Sequence, residues 1–472
     1  MRRKPMPNAL DIDLRGGLTD QVTPHAGAAL LIDCLRRSGL VAAAERHLPA
    51  KRSPKGLGQG QMTESFLLLS ALGGECLDDF DHLRRDMGLA ALTGYALPAA
   101  ATARQWLDRF HAPALHADRP AQGAFIPLES AGLAGLRAVL VSTIRAFVAA
   151  VPVEPTVTLD VDAHLVESSK ATALPTYEGF RGYQPALVSW AETGLVLADQ
   201  FRDGNVPASV GLRELVDEAY ATLPSDGEWR VSVRSDSAAY EGALLDHWAG
   251  RGWRFAVSAD MSRQLRAEIE ALAPDAWRPW RTDAQGLPVV EADGAVREWA
   301  EVPYVPSQRY EHRDAEPFRY LAVRIRPPQG TLFGDGADAR HFAVVTNDWT
   351  SEGRALLGWH RGKQGTIEQV HRVLKDELGA GVYPSAKHGA NAAWLRLQVL
   401  THDLLELLKA VALDAELRQA RPKRLRFRVF THFGRVVHHA RERFVRVVGR
   451  VLRDLLRPGL RRLALATWPP GA

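Results

Sequence analysis

The chain has 472 residues, 46% of them hydrophobic and 24% charged. That balance is ordinary for a soluble globular protein, and the length allows roughly two or three domains. Two cysteines, Cys34 and Cys76, are too few for a disulfide framework or a cysteine-based metal site and fit a reducing, cytoplasmic setting.

The net charge of +4 conceals an asymmetry. Residues 417–472 hold 15 Lys and Arg against Glu442 and Asp454, or +13, which leaves −9 for the rest. A basic tail on an acidic body points to a polyanionic partner, nucleic acid before an acidic membrane surface.

In chain order, MRRKPMPNALDIDLRGG (1–17) begins positive but has no apolar core behind it, so no signal peptide is expected. No run of ~18 apolar residues is read anywhere, so no membrane span is expected either. Residues 1–150 read as mainly helical, with apolar residues at three- and four-residue spacing over 25–47, 62–72 and 77–92. KRSPKGLGQGQ (51–61) is a basic, Gly-rich loop. AAATARQWLDRF (99–110), after Leu97-Pro98, reads as a short helix showing Arg104 and Arg109. That pattern suits a helix-turn-helix for DNA ends, but short basic helices are more often solvated faces. Residues 113–127 read as a linker and 131–151 as a helix.

From 153 the pattern turns to strands mixed with helices. TVTLDVDAHLVE (156–167) opens with alternating β-branched residues and predicts a strand at 156–163. Residues two apart on a strand share a face, so Asp160 and Asp162 project together. Two carboxylates on one face repel each other unless a cation neutralises them or the strand ends in solvent. The turn-rich stretch TYEGFRGYQPALVSW (176–190) follows. Strands are then predicted at 194–201, 229–234 and 253–258, with helices at 210–223 and 240–249. This is an α/β pattern with a mixed sheet. Asp236 falls just past the strand WRVSVR, where loops on a rigid sheet carry function.

Residues 260–350 contain strand-like runs at 302–304, 318–325 and 341–346 and read as a β-rich insertion. The helix predicted over 362–378, GKQGTIEQVHRVLKDEL, has an apolar stripe of Ile367, Val370, Val373 or Leu374, and Leu378. Gln364, Glu368, His371 and Lys375 lie on an adjoining face, with Glu368 and Lys375 ~10 Å apart along one side. The segment 390–411 is apolar enough for a core helix. The basic tail reads as one or two amphipathic helices ending near Leu465. Phe427, Phe430, Phe433 and Phe444 within it read as core positions in preference to base-stacking ones. His438 and His439 read as surface or packing residues in preference to ligands.

Asp162, Asp236 and Glu368, from three separate elements, would suit Mg²⁺, which takes oxygen ligands while keeping waters and substrate phosphates. Spacing alone does not assemble this set. The chain, however, resembles the DDE transposases of bacterial insertion sequences, nearest to the thirteen-eighty group of the ribonuclease-H-like class. LDVDAHLVES (159–168) is similar to the D-x-D-A-T strand and RGYQPALVSWAETGLVLADQFRDGN (181–205) to the G-Y-x-P-L … R-x-G-N stretch. VRSDSAAY (233–240) resembles R-x-D-S-x-[FY], and IEQVHRVLKDEL (367–378) the acidic helix with Lys seven after Glu. GGECLDDFDHLRRD (73–86) and ALPAAATARQWLDRF (96–110) resemble the group's helical preamble.

The resemblance implies a ribonuclease-H-like mixed-sheet catalytic core in two parts, 151–261 and 351–412, split by the β-rich insertion at 262–350. A helical DNA-binding region (1–150) precedes it and a basic helical region (413–472) follows. It further implies cleavage at transposon ends and strand transfer with Mg²⁺, for which Mn²⁺ can substitute. Asp162, Asp236 and Glu368 would be catalytic and metal-binding, with Asp160 the fallback for the first. Lys375 would contact DNA. Arg361 and Lys363, also DNA contacts, stand where the family has Tyr and Arg before the Glu, at a different spacing, and His164 replaces the usual Thr. Partners so implied are double-stranded DNA, at both ends and target, and a second copy of the chain, in a bacterial nucleoid-associated setting without a membrane. The rival readings are a catalytically lapsed, transposase-derived DNA-binding protein and a ribonuclease-H-like nuclease without strand transfer.

Overall fold

A computed structural model describes residues 22–51, 53–120, 123–306, 316–326, 339–439 and 442–469. The described chain enters along a two-residue strand, β1 (Val22–Thr23), and continues through the helices α1 (Ala28–Arg37), α2 (Leu40–His47), α3 (Gln59–Leu72), α4 (Asp79–Leu83), α5 (Met87–Thr93), α6 (Ala100–Asp108) and α7 (Ala131–Ala150). The helix predicted over 25–47 is divided at Gly39, whose φ of 76° favours glycine. The one predicted over 77–92 is divided before Asp86, which caps α5 by accepting from the Leu89 N–H.

By length and composition α7 is apolar enough to cross a membrane, which corrects the expectation that no such run exists. It packs against α2 and the later helix His388–Ala412. Arg137 on it is ion-paired with Glu129 and Glu218. Those contacts make it a core helix.

The centre is a nine-stranded mixed sheet. β2 (Thr156–Ala163) lies inside it, while β3 (Val166–Glu167), β4 (Leu174–Pro175) and β5 (Arg181–Tyr183) form a small antiparallel sheet beside it. β6 (Ala186–Trp190) and β7 (Leu195–Gln200) extend the large sheet antiparallel on one flank of β2. On the other flank β8 (Arg230–Ser235) and β9 (Arg254–Ala259) run parallel to it. Parallel neighbours require crossovers. The helix α8 (Leu212–Ala221) precedes β8, and α9 (Gly242–Gly250) connects β8 to β9. The sequence of β6 reads as turn-rich because all five of its residues are buried, which erases the alternation that marks a half-exposed strand.

The segment read as an insertion contains α10 (Arg263–Glu270), β10 (Arg278–Pro279), β11 (Val296–Val302), β12 (Arg319–Arg326) and β13 (Arg340–Thr346). Its strands prolong the same sheet, starting from β13 antiparallel to β9. The chain then returns through α11 (Gly353–Arg361), α12 (Ile367–Glu377) and α13 (His388–Ala412). The helix predicted from 362 starts only at Ile367, because Gly362–Gly365 is a 3₁₀ turn and Thr366 leaves helical geometry at φ −113°, ψ −88°.

The tail differs most from expectation. Its last helix, α14 (Arg457–Leu465), ends where predicted, but a hairpin of β14 (Gly434–His439) and β15 (Glu442–Val447) precedes it, and β14 pairs with β1. Charge dominates this sequence, yet Val436, Val437, Val445 and Val447 are β-branched strand formers. Of the four phenylalanines expected in the core only Phe430 is there; Phe427, Phe433 and Phe444 are exposed. The side chains of His438 and His439 lie outside the described residues.

A continuous apolar core joins α1 to α14 through the sheet. On α13 the buried Arg396 is paired, bonding Asp199 at 2.9 Å and Glu129 at 2.6 Å. Where the tail crosses α1 there is no room for a side chain. A Cβ on Gly27 would lie 1.7 Å from the Val429 carbonyl oxygen, a main-chain atom that cannot rotate away. Gly27→Ala is expected to cost about 1–3 kcal/mol in urea unfolding. An unchanged midpoint would show that the tail is not seated there.

Candidate functional site

The site begins with an ion pair between neighbouring parallel strands. Asp160 on β2 is in register with Arg234 on β8. Asp160 is fully buried, and the guanidinium grips it twice, Nε to Oδ1 at 2.6 Å and Nη2 to Oδ2 at 2.8 Å. Arg234 also donates from Nη1 to the Trp359 carbonyl at the end of α11, and Thr366, just before α12, donates its hydroxyl to Asp160. One buried carboxylate therefore ties together β2, β8, α11 and the start of α12. Its oxygens are committed to this network, which removes Asp160 as the alternative first ligand.

Two residues further along the same face, Asp162 stands at the open end of β2, half-buried. Asp236 follows the end of β8 and caps a short 3₁₀ turn by accepting from the Ala238 N–H at 3.1 Å. Glu368 occupies the first turn of α12 and is exposed. The three are close enough to feel one another. Burial raises the Asp162 carboxyl to about 7; Lys363 opposes the rise, while Asp236 and Glu368 add to it. Converging, mutually repelling carboxylates at a partly desolvated strand end are the oxygen-donor set a hard divalent cation neutralises. Among the described residues no three His, Cys, Asp or Glu side chains form a group that could hold a metal ion unaided. A cation placed here would complete its shell with waters and a substrate phosphate.

Of the predicted DNA contacts, Lys363 is half-buried and faces the acids. Lys375 is exposed in the last turn of α12, and Arg361 is exposed with its guanidinium 5.6 Å from the Trp280 ring centre. The helix face shared by Glu368, His371 and Lys375 is not uniformly solvated, because His371 is buried against Asp162, Nε2 to Oδ2 3.6 Å.

Two supporting residues escape sequence reasoning. His360 on α11 donates from Nε2 to the Ser235 carbonyl at 3.0 Å, bracing the strand end that presents Asp236; burial holds its imidazole at about 4. Arg234, inside the R-x-D-S segment, is the cation for Asp160. The only signal for that pairing is D-x-D and R-x-D on strands that prove to be parallel neighbours.

The sequence model of a family described as "Transposase DDE domain group 1" matches residues 8–468. No curated protein matches the chain. Among solved structures the fold is similar to that described as "Cryo-EM structure of piggyBac transposase synaptic complex with hairpin DNA", at 10% identity and a TM-score of 0.44, over 85% of this chain and 79% of that one.

Removing one partner of a buried pair leaves an uncompensated charge, so Arg234→Ala is expected to destabilise the fold by about 3–5 kcal/mol; a loss below a third of that in chemical unfolding would contradict the geometry. Asp162 titrates in the opposite sense. Its folded value of about 7 lies above the ordinary carboxylate range, so its contribution is favourable at pH 4 and is lost as the pH rises through 7. Asp162→Asn should therefore stabilise the metal-free protein at pH 8 by on the order of 1–3 kcal/mol and change it little at pH 4. Equal melting shifts at both pH values would show that burial does not raise the Asp162 carboxyl.

Proposed function

The chain belongs to the group 1 transposase DDE-domain family, and from that premise we propose that it is an active DDE transposase. It cleaves DNA at insertion-sequence ends and transfers the freed strands into target DNA. The observation that carries this reading is the convergence of Asp162, Asp236 and Glu368 from β2, β8 and α12, with the insertion strands between the second and third. A mixed sheet in which the strands leading to the first two acids are parallel neighbours, followed by an acidic helix, supports a ribonuclease-H-like core. The motif resemblance favours the thirteen-eighty group.

In this reading Asp162, Asp236 and Glu368 hold Mg²⁺, with Mn²⁺ a substitute. When bound, a pair of such ions activates the attacking water or 3′-hydroxyl and stabilises the leaving oxygen. The chain's own residues supply position and charge. The Asp160–Arg234 pair fixes the two strand ends relative to each other, and His360 braces the second. Lys363 faces the acids from the turn before α12 and offers a cation to the scissile phosphate. Lys375 and Arg361 project from α12 and α11 to flanking backbone. Basic residues of the tail add phosphate contacts whose strength falls with salt. Two ends must be handled together, so a homodimer on double-stranded DNA is proposed, in the bacterial nucleoid.

Incubation with duplexes bearing the inverted repeats that flank the gene, in Mg²⁺, tests this. The wild type is expected to cut and join, and Asp236→Ala to bind with the same salt dependence while cleaving only at background. Cleavage by both proteins would falsify the catalytic assignment. Binding without cleavage by either identifies a lapsed, DNA-binding relative, and cutting without joining a nuclease.

A further inference from the structure

Beside Asp162 lie two imidazoles that take no part in the chemistry proposed above. His164 follows Asp162 by two residues, and His371 follows Glu368 by three, one turn along α12. An Asp-x-His at the strand end thus faces a Glu-x-x-His on the helix. The two rings pack with centroids 4.2 Å apart, tilted at 57°. His371 is 6% exposed, and its Nε2 lies 3.6 Å from Asp162 Oδ2. None of the four ring nitrogens has a hydrogen-bond partner.

Buried polar atoms left unpaired are costly and uncommon, so the arrangement calls for an occupant. Neutral imidazole is the form that donates to a metal. Nitrogen donors discriminate between ions: Mg²⁺ favours oxygen in strict octahedral geometry, whereas transition ions accept imidazole.

We propose that His371 supplies a nitrogen ligand to the divalent ion held by Asp162 and Glu368, with His164 stacked on its ring as a positioning residue, so that the site binds Mn²⁺ in preference to Mg²⁺. The proposal rests on the transposase reading above and assigns that site its ion preference.

The experiment titrates Mn²⁺ into the full-length protein without DNA and records pulsed electron paramagnetic resonance for ¹⁴N coupling. Wild type is expected to show the coupling and His371→Gln to lose it. The Mn²⁺ dissociation constant should rise about tenfold or more, while the Mg²⁺ constant, read by competition, stays put. His164→Thr keeps the coupling and weakens Mn²⁺ binding. If His371→Gln melts before it can be measured, His371→Phe preserves the ring volume and is read the same way. Mn²⁺ bound to wild type without ¹⁴N coupling, or coupling that survives in either His371 variant, overturns the inference and leaves the carboxylate site standing. Failure of wild type to bind Mn²⁺, or binding indifferent to Asp162→Asn, instead overturns the metal reading on which it rests.

Discussion

The buried pair of Asp160 and Arg234 is the constraint from which the rest of the site follows. Each is costly to bury alone, and each is satisfied only when β2 and β8 lie in parallel register and the end of α11 closes over them. That register sets the neighbouring strand ends side by side, one presenting Asp162 and the other leading to Asp236. Thr366, bonded to the same carboxylate, fixes where α12 begins and hence where Glu368 stands. The pair contributes specificity of arrangement more than net stability, since a well-packed apolar pair could fill the same space.

That Asp162, Asp236 and Glu368 come within electrostatic range of one another was legible through D-x-D, R-x-D-S and the spaced Glu and Lys, which survive as short linear patterns. Which Asp of the first pair faces the centre was not legible. Both project from one face, and the choice depends on Arg234, 74 residues away. His360 was hidden for the same reason, since its partner is a main-chain carbonyl on another element. β6 was lost because complete burial removes periodicity, and the tail hairpin because runs of arginine overshadow alternating valines. Long amphipathic segments such as α12 and α13 were read correctly in kind, and only their starts moved, at glycines and at Thr366.

The tail also revises what the charge count implies. Several of its arginines are spent on the chain itself: Arg421 on Glu377, Arg462 on Asp414, and Arg426 on the carbonyls of Ser70, Ala71 and Glu377. The formal +13 therefore overstates the field that this region projects. The exposed Phe427, Phe433 and Phe444 sit among the cations that remain.

The pairing of β1 with β14, with α1 wedged beneath residues 429–430, has a consequence for biosynthesis. Because α1, α3 and α6 also pack on α13, and α1 on α14, while β1 pairs with β14, a nascent chain emerging from the ribosome keeps part of its apolar helix faces exposed until these late elements are made. A fragment truncated before the hairpin would be a target for proteolysis rather than a DNA-cutting stub.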